Sequence, residues 1–280
     1  MKKIIFIASY PKSGNTWIRI LISSLINKNK GLFNFNDLKK IYMFSQLAYF
    51  NKLKNYNLND DGVLDINFMV NNWINAQKKI NEESIETKFF KTHSIRGVVN
   101  GKYFTDPSVC GGFLYIARDP RDVVISKAKY MSTSLDESID KLLNDEKITV
   151  CPNNVTEFVN TWENHVISWL SFKEVPSLII KYEDMIKDTN KTLNEIIEFI
   201  NKNSTFNIVK SNELLTNILE STNFQKLRNM EIKDGFEESS PHSMFFRKGQ
   251  SEQWKKILSE NQIKLIEKKL EVPMKYLGYK

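Results

Sequence analysis

Cysteine is nearly absent from this chain. Only Cys110 and Cys151 occur among 280 residues. Two cysteines make no disulfide framework, and neither keeps a metal-ligand spacing with any of the three histidines, which argues against a structural zinc site. Reduced thiols fit a cytoplasmic compartment best. Long apolar runs are missing as well. No stretch approaches the length of a membrane span, and the apolar run behind Met1-Lys2-Lys3 breaks at Ser-Tyr-Pro, too soon for an export signal. The expectation is a soluble, cytoplasmic chain with no membrane partner. Internal repeats, low-complexity linkers and Arg- or Gly-rich tails are also absent. Lysine and arginine are spread along the whole chain, so charge alone gives no argument for nucleic acid.

What is present is a chain 41% hydrophobic and 12% aromatic, long enough for one large α/β domain. The net charge of +7 has two readings: a solvated Lys-rich surface, or a preference for an anionic ligand or acceptor. Ile4 to Ala8 is short, uncharged and mostly β-branched, and reads as a buried strand. Tyr10-Pro11 ends it, and Lys12-Ser13-Gly14-Asn15-Thr16 forms a tight polar turn. Trp17 to Leu25 is apolar at helical spacing. Strand, polar turn and helix N-terminus together make an anion site, because backbone N–H groups and the positive end of the helix dipole face the turn. Lys12 adds a full charge; Ser13 and Thr16 add hydroxyl donors.

Further strands are expected at 87–91, 112–117 and 177–181, with helices at 17–27, 121–130, 155–171, 189–201 and 212–219 and a closing helix near the C-terminus. Asp119 is placed to cap the helix that Pro120 opens. Strands alternating with helices predict an α/β fold, a single domain over residues 1–280 with a central parallel sheet flanked by helices. Binding residues then belong just past the C-terminal strand ends, where Lys12, His93, Arg118 and Tyr182 all fall. Residues 28–80, rich in Asn, Lys and aromatics, read as irregular helices outside the sheet. They are either a lid or acceptor wall, or an ordinary packed insertion.

The turn is not an ordinary nucleotide-triphosphate loop, whose lysine follows its second glycine; here the lysine precedes the only glycine. Tyr10-Pro11-Lys12-Ser13-Gly14-Asn15-Thr16-Trp17 instead resembles the 5′-phosphosulfate-binding loop of the PAPS-dependent sulfotransferases, with Asn15 in place of the usual Thr. Arg118-Asp-Pro-Arg-Asp-Val-Val-Ile-Ser126 resembles that family's second signature, in which the Arg and Ser hold the nucleotide 3′-phosphate. Phe246-Arg247-Lys248-Gly249 resembles the third, which closes over the same phosphate. A guanidinium gives a permanently charged, bidentate grip on phosphate. For Arg118 alone, a salt bridge to Asp119 or Asp122 is the plain alternative. Tyr182-Glu183-Asp184 and Ser221-Thr222-Asn223-Phe224 are similar to segments that approach the adenine, which implies contacts from Tyr182, Thr222 and Phe224, with Trp17 and Phe246 as further aromatics.

Lys91-Thr92-His93 resembles the Lys-x-His of the cytosolic branch, which implies His93 as general base. A neutral imidazole, unperturbed pKa about 6.5, suits removal of an acceptor proton at neutral pH. Lys12 is expected to neutralise the leaving phosphate, assisted by Lys91. No metal is needed when lysines cover that charge. His165, in Trp162-Glu-Asn-His165, is a pocket wall, a second base or a core histidine. The resemblance implies a P-loop-like fold and an enzyme that moves the sulfuryl group of PAPS to a hydroxyl or amine of a small-molecule or glycan acceptor, with a homodimer possible and oligomeric state left open. A P-loop kinase and a non-catalytic nucleotide-binding module are the rival readings.

Overall fold

The computed structural model of the chain describes all residues except 1, 28, 145, 146, 151–154, 241–243 and 248, and only the backbone course of 147–150. Lys248, His242 and Cys151 therefore lie outside the described residues. In chain order the strands are β1 (Ile4–Ser9), β2 (Tyr42–Met43), β3 (Lys88–Thr92), β4 (Val98–Val99), β5 (Lys102–Tyr103), β6 (Cys110–Ala117), β7 (Lys147–Val150), β8 (Val155–Phe158) and β9 (Ser177–Lys181). The helices are α1 (Asn15–Ile26), α2 (Ile66–Glu83), α3 (Pro120–Met131), α4 (Leu135–Leu143), α5 (Trp162–Leu170) and α6 (Tyr182–Lys187). They continue with α7 (Thr189–Asn203), α8 (Asn212–Ser221), α9 (Phe224–Asp234), α10 (Trp254–Ile257), α11 (Glu260–Lys269) and α12 (Glu271–Leu277).

The central sheet is five-stranded, ordered β2-β3-β1-β6-β9, and parallel throughout. Every residue of β1 is buried, as a strand covered on both faces requires. Ile4, Phe6 and Ala8 point into one apolar core with Phe90, Phe113 and Tyr115. Ile5 and Ile7 point into the other with Phe89, Leu114 and Ile116. The chain leaves β1 for β3 on one side and returns to β6 on the other. That reversal opens a crevice at the C-terminal end of β1, where the turn at 10–14 sits.

The structure corrects three expectations. Residues 28–80 are not all outside the sheet: β2 pairs with β3, Tyr42 opposite Phe90 and Met43 opposite Lys91. The same segment holds 3-10 turns at Phe35–Lys40 and Leu47–Tyr49 and the regular helix α2, which buries Met69, Val70 and Trp73. The helix expected over 155–171 starts only at Trp162, because Val155–Phe158 pairs antiparallel with Lys147–Val150, Asn160 takes a φ of 62° and Thr161 caps the helix. Beyond Leu219, helix α9 and a set of three short C-terminal helices replace a loop and a single closing helix. Asp119 caps α3 as expected, accepting from the Arg121 N–H with Pro120 in the first turn.

Candidate active site at the end of the central strands

The turn after β1 is shaped by backbone conformation. Lys12 has φ 67° and Gly14 φ 99°, so the chain doubles back within three residues before α1 begins at Asn15. A Cβ on Gly14 would stand 2.6 Å from Cδ2 of Tyr182, so only glycine lets the Tyr182 ring close on the turn. The first N–H groups of α1 have no intrahelical acceptor. The Ser13 hydroxyl is buried and has no hydrogen-bond partner. An orphaned donor beside a helix N-terminus fits a phosphate oxygen.

Arg118, at the end of β6, ties this turn to the third motif. One guanidinium nitrogen donates to Lys12 O at 3.1 Å and another to Gln250 O at 3.2 Å, while the group stacks on Tyr182 at 4.2 Å. Its Nε is buried without a partner. The alternative salt bridge is not made: Asp119 pairs with Arg121, and Asp122 accepts from the Trp254 N–H. Partial burial and the neighbouring charge of Arg118 press the Arg247 pKa down. Two like charges held together, one with a spare donor, fit an anion between them. Gly249 has φ 58°, and a Cβ there would lie 2.4 Å from the Phe224 ring. Ser126 sits half-buried in the second turn of α3.

The aromatic residues gather on one side of the turn. The Trp17 indole N–H donates to Thr222 O at 3.2 Å and meets Tyr182 edge-on. The Thr222 hydroxyl is buried and donates to Ile218 O within α8, so it is committed to the helix end. Phe246 is buried among Phe35, Phe224, Phe236 and Phe245. The strand of chain carrying Phe245 and Phe246 is pinned by Glu231, whose carboxylate accepts both of their N–H groups.

Lys12 projects its ammonium over the Tyr130 ring at 3.7 Å and toward Phe245 at 4.5 Å. Burial pushes its pKa down to about 8, with Arg118 adding to the fall and Glu238 opposing it. Glu238 accepts the Thr16 hydroxyl at 2.8 Å and pairs with buried Arg19. Burial alone would raise its pKa; the charge of Arg19 and the bonds from Arg19 and Thr16 hold it at about 2.

His93 lies one residue beyond β3, half-buried. Its Nδ1 is 2.7 Å from Ser9 O, a group that only accepts, so Nδ1 carries the proton and Nε2 keeps its lone pair. Asn15 donates to Ile7 O and to the Ser9 hydroxyl, linking the turn after β1 to the strand end that holds this ring. Burial and the charge of Lys91 hold the His93 pKa well below the usual imidazole range. His165 is fully buried. Its Nε2 donates to His93 O at 3.1 Å, and its Nδ1 accepts from the Tyr115 hydroxyl at 2.9 Å. Both ring nitrogens are thus spent inside the core, and burial pushes its pKa down to about 3.

Lys91 is buried and faces Glu157 at 3.4 Å. Glu157, Arg19 and Glu238 belong to no motif read from the sequence. Arg19 had a signal: a lone charge in the apolar run Trp17–Leu25 needs a buried counter-ion. Its partner, 219 residues away, had none.

A sulfotransferase domain model matches residues 2–278, and the chain belongs to that family. It is 23% identical over 274 residues to the flavonol 3-sulfotransferase of Flaveria bidentis, covering 94% of this chain and 79% of that one. It is 28% identical over 155 residues to the 3-alpha-hydroxysteroid sulfotransferase of Cavia porcellus, covering 51% of this chain and 48% of that one. Among solved structures it superposes on mouse sulfotransferase SULT7A1 complexed with PAP, with a TM-score of 0.62 at 20% identity, over 98% of this chain and 85% of that one. Retinol dehydratase in complex with androsterone and PAP gives 0.62 at 21% identity, over 98% and 81%. No helix among the described residues is long and apolar enough to cross a membrane.

Proposed function

We propose that this chain transfers the sulfuryl group of PAPS in line to a hydroxyl of a small-molecule acceptor and releases adenosine 3′,5′-bisphosphate. The observation that carries the reading is the tautomer of His93. Ser9 O holds the proton on Nδ1, and Ser9 is the last residue of the strand that runs into the anion turn. A lone pair left on Nε2 is what a general base at this strand end requires, and it supports the reading.

PAPS supplies the activated sulfuryl group. Ser13, the α1 N-terminus and Lys12 would hold its 5′ side; Arg118, Ser126, Arg247 and Gly249 its 3′-phosphate, with Lys248 of the same motif. His93 Nε2 takes the acceptor's proton as the acceptor oxygen attacks. Lys12 keeps a positive charge where the leaving phosphate gains negative charge. The flavonol and steroid sulfotransferases among the relatives support a small hydrophobic alcohol or phenol as acceptor. Residues 42–50 run beside β3, but their aromatic rings Phe44 and Phe50 are buried in the core with Phe90, so the acceptor class rests on the relatives alone.

Two measurements test the reading. Calorimetry should give far tighter binding of adenosine 3′,5′-bisphosphate than of AMP, and equal affinities would remove the 3′-phosphate assignment. Labelled PAPS offered with a panel of phenols, flavonols, steroid alcohols and amines should label at least one acceptor, and His93→Ala should abolish that labelling while leaving bisphosphate affinity almost untouched.

A further inference from the structure

Glu157 stands on β8, in a hairpin that carries none of the nucleotide motifs, yet it touches both reactive residues of the β3 end. Its carboxylate is 2% exposed. One oxygen accepts from the His93 main-chain N–H at 3.1 Å and from the Ser45 hydroxyl at 2.7 Å. The other faces the Lys91 ammonium at 3.4 Å. Burial by itself would raise its pKa; the charge of Lys91 and the bonds from the Ser45 hydroxyl and the His93 main-chain N–H hold it well below the usual carboxylate range.

An ionised carboxylate at this depth is costly, and apolar side chains at 91 and 157 would fill the same space with less penalty. The pair is therefore explained by what it fixes. Lys91 and His93 are two residues apart at the end of one strand, so their side chains leave on the same side. Glu157 spans them, gripping the ammonium of one and the backbone of the other. His165 grips the carbonyl of the same His93 from helix α5, and Phe158 O accepts from the Ile95 N–H just beyond. His93 is thus clamped through its N–H, its C=O and its Nδ1, and only Nε2 is left to do chemistry.

We propose that Glu157 is a positioning residue for the transfer: it holds Lys91 and His93 in one register, so that the cation aimed at the leaving group and the base aimed at the acceptor meet the reacting centre together. This inference rests on the PAPS-dependent reading above. It is tested with wild type, Glu157→Gln, Lys91→Met and the double variant, using labelled PAPS and whichever panel acceptor wild type sulfates. Gln keeps an oxygen for His93 N–H and Ser45 and removes only the charge. Glu157→Gln should lower kcat about 10–100-fold, the size of loss seen when a partner that orients a metal ligand is removed, with bisphosphate affinity within about 2-fold of wild type. In the Lys91→Met background the same change should cost nothing further in kcat, because with the Lys91 ammonium gone the carboxylate has no cation left to position. A purely structural role would show that non-additivity in the melting temperature and not in the kcat of the folded protein, so both are measured. If Glu157→Gln fails to fold, the double variant carries neither buried charge, and its comparison with Lys91→Met still decides. Wild-type kcat in Glu157→Gln, or full additivity in the double variant, overturns the inference alone. A wild type that sulfates no panel member overturns the transfer reading, and this inference with it.

Discussion

The ring of His165 donates to the main-chain carbonyl of His93 at 3.1 Å, so two histidines 72 residues apart in sequence are joined, side chain to backbone. His165 is thereby a brace for His93 rather than a group facing an acceptor. Replacing it with Phe leaves the Tyr115 hydroxyl and the His93 carbonyl without partners. Each orphaned buried group costs about 1–3 kcal/mol, and chemical denaturation of His165→Phe should show that loss. A variant as stable as wild type would mean that water or a neighbour replaces the ring.

The same histidine sets a pH dependence of stability. Its folded pKa of about 3 lies below the unfolded value of about 6.5. Between those values the unfolded chain binds more protons, so the His165 contribution is complete above about pH 6.5 and is lost as pH falls toward 3. A shift of this size is worth up to about 5 kcal/mol. Urea melts from pH 7 to 4 should show the decline, and His165→Phe should flatten it.

For the reaction, the lowered His93 pKa keeps the imidazole neutral on acidification. An unperturbed histidine would put the acid limb of kcat/KM near pH 6.5. Here burial and Lys91 move it to lower pH. A limb found at 6.5 in wild type would place the titrating group elsewhere.

Lys12, with a pKa of about 8 in the free chain, loses its charge as pH rises through that value. Bound phosphate favours the ammonium. Bisphosphate affinity should therefore fall above pH 8, and binding near pH 8 should take up a proton. Calorimetry in two buffers of different ionisation enthalpy measures the uptake. Lys12→Met should remove it, cutting turnover more than affinity.

Gly249→Ala puts a methyl group against the Phe224 ring at φ 58°. Backbone strain of this kind costs about 1–3 kcal/mol. The third motif should shift rather than bear that strain in full, so bisphosphate affinity should drop while the melting temperature changes little. Unchanged affinity would separate Gly249 from the binding site.

The sheet strands were legible because each is a short apolar run with its own punctuation, and β1 with its turn spells an anion site within the first two dozen residues or so of a buried-strand-to-helix pattern. The helix expected at 155–171 failed for a local reason: Val155 to Phe158 satisfies either period, and only its antiparallel partner selects the strand. β2 was invisible because two residues carry no period at all.

Sequence by itself determined the class of fold, the strand-turn-helix at the start of the chain and the order of the motifs, since these are local patterns of polarity, charge and backbone freedom. It could name Lys91, His93 and His165 but not their tautomers, partners or depth. Those depend on which groups the crossovers bring within hydrogen-bond reach. Ser9 O fixes the proton on His93, Glu157 matches Lys91, and Tyr115 completes His165. Hydrogen bonds and ion pairs act over a few ångströms of space and are indifferent to separation along the chain, so only the tertiary structure decided them.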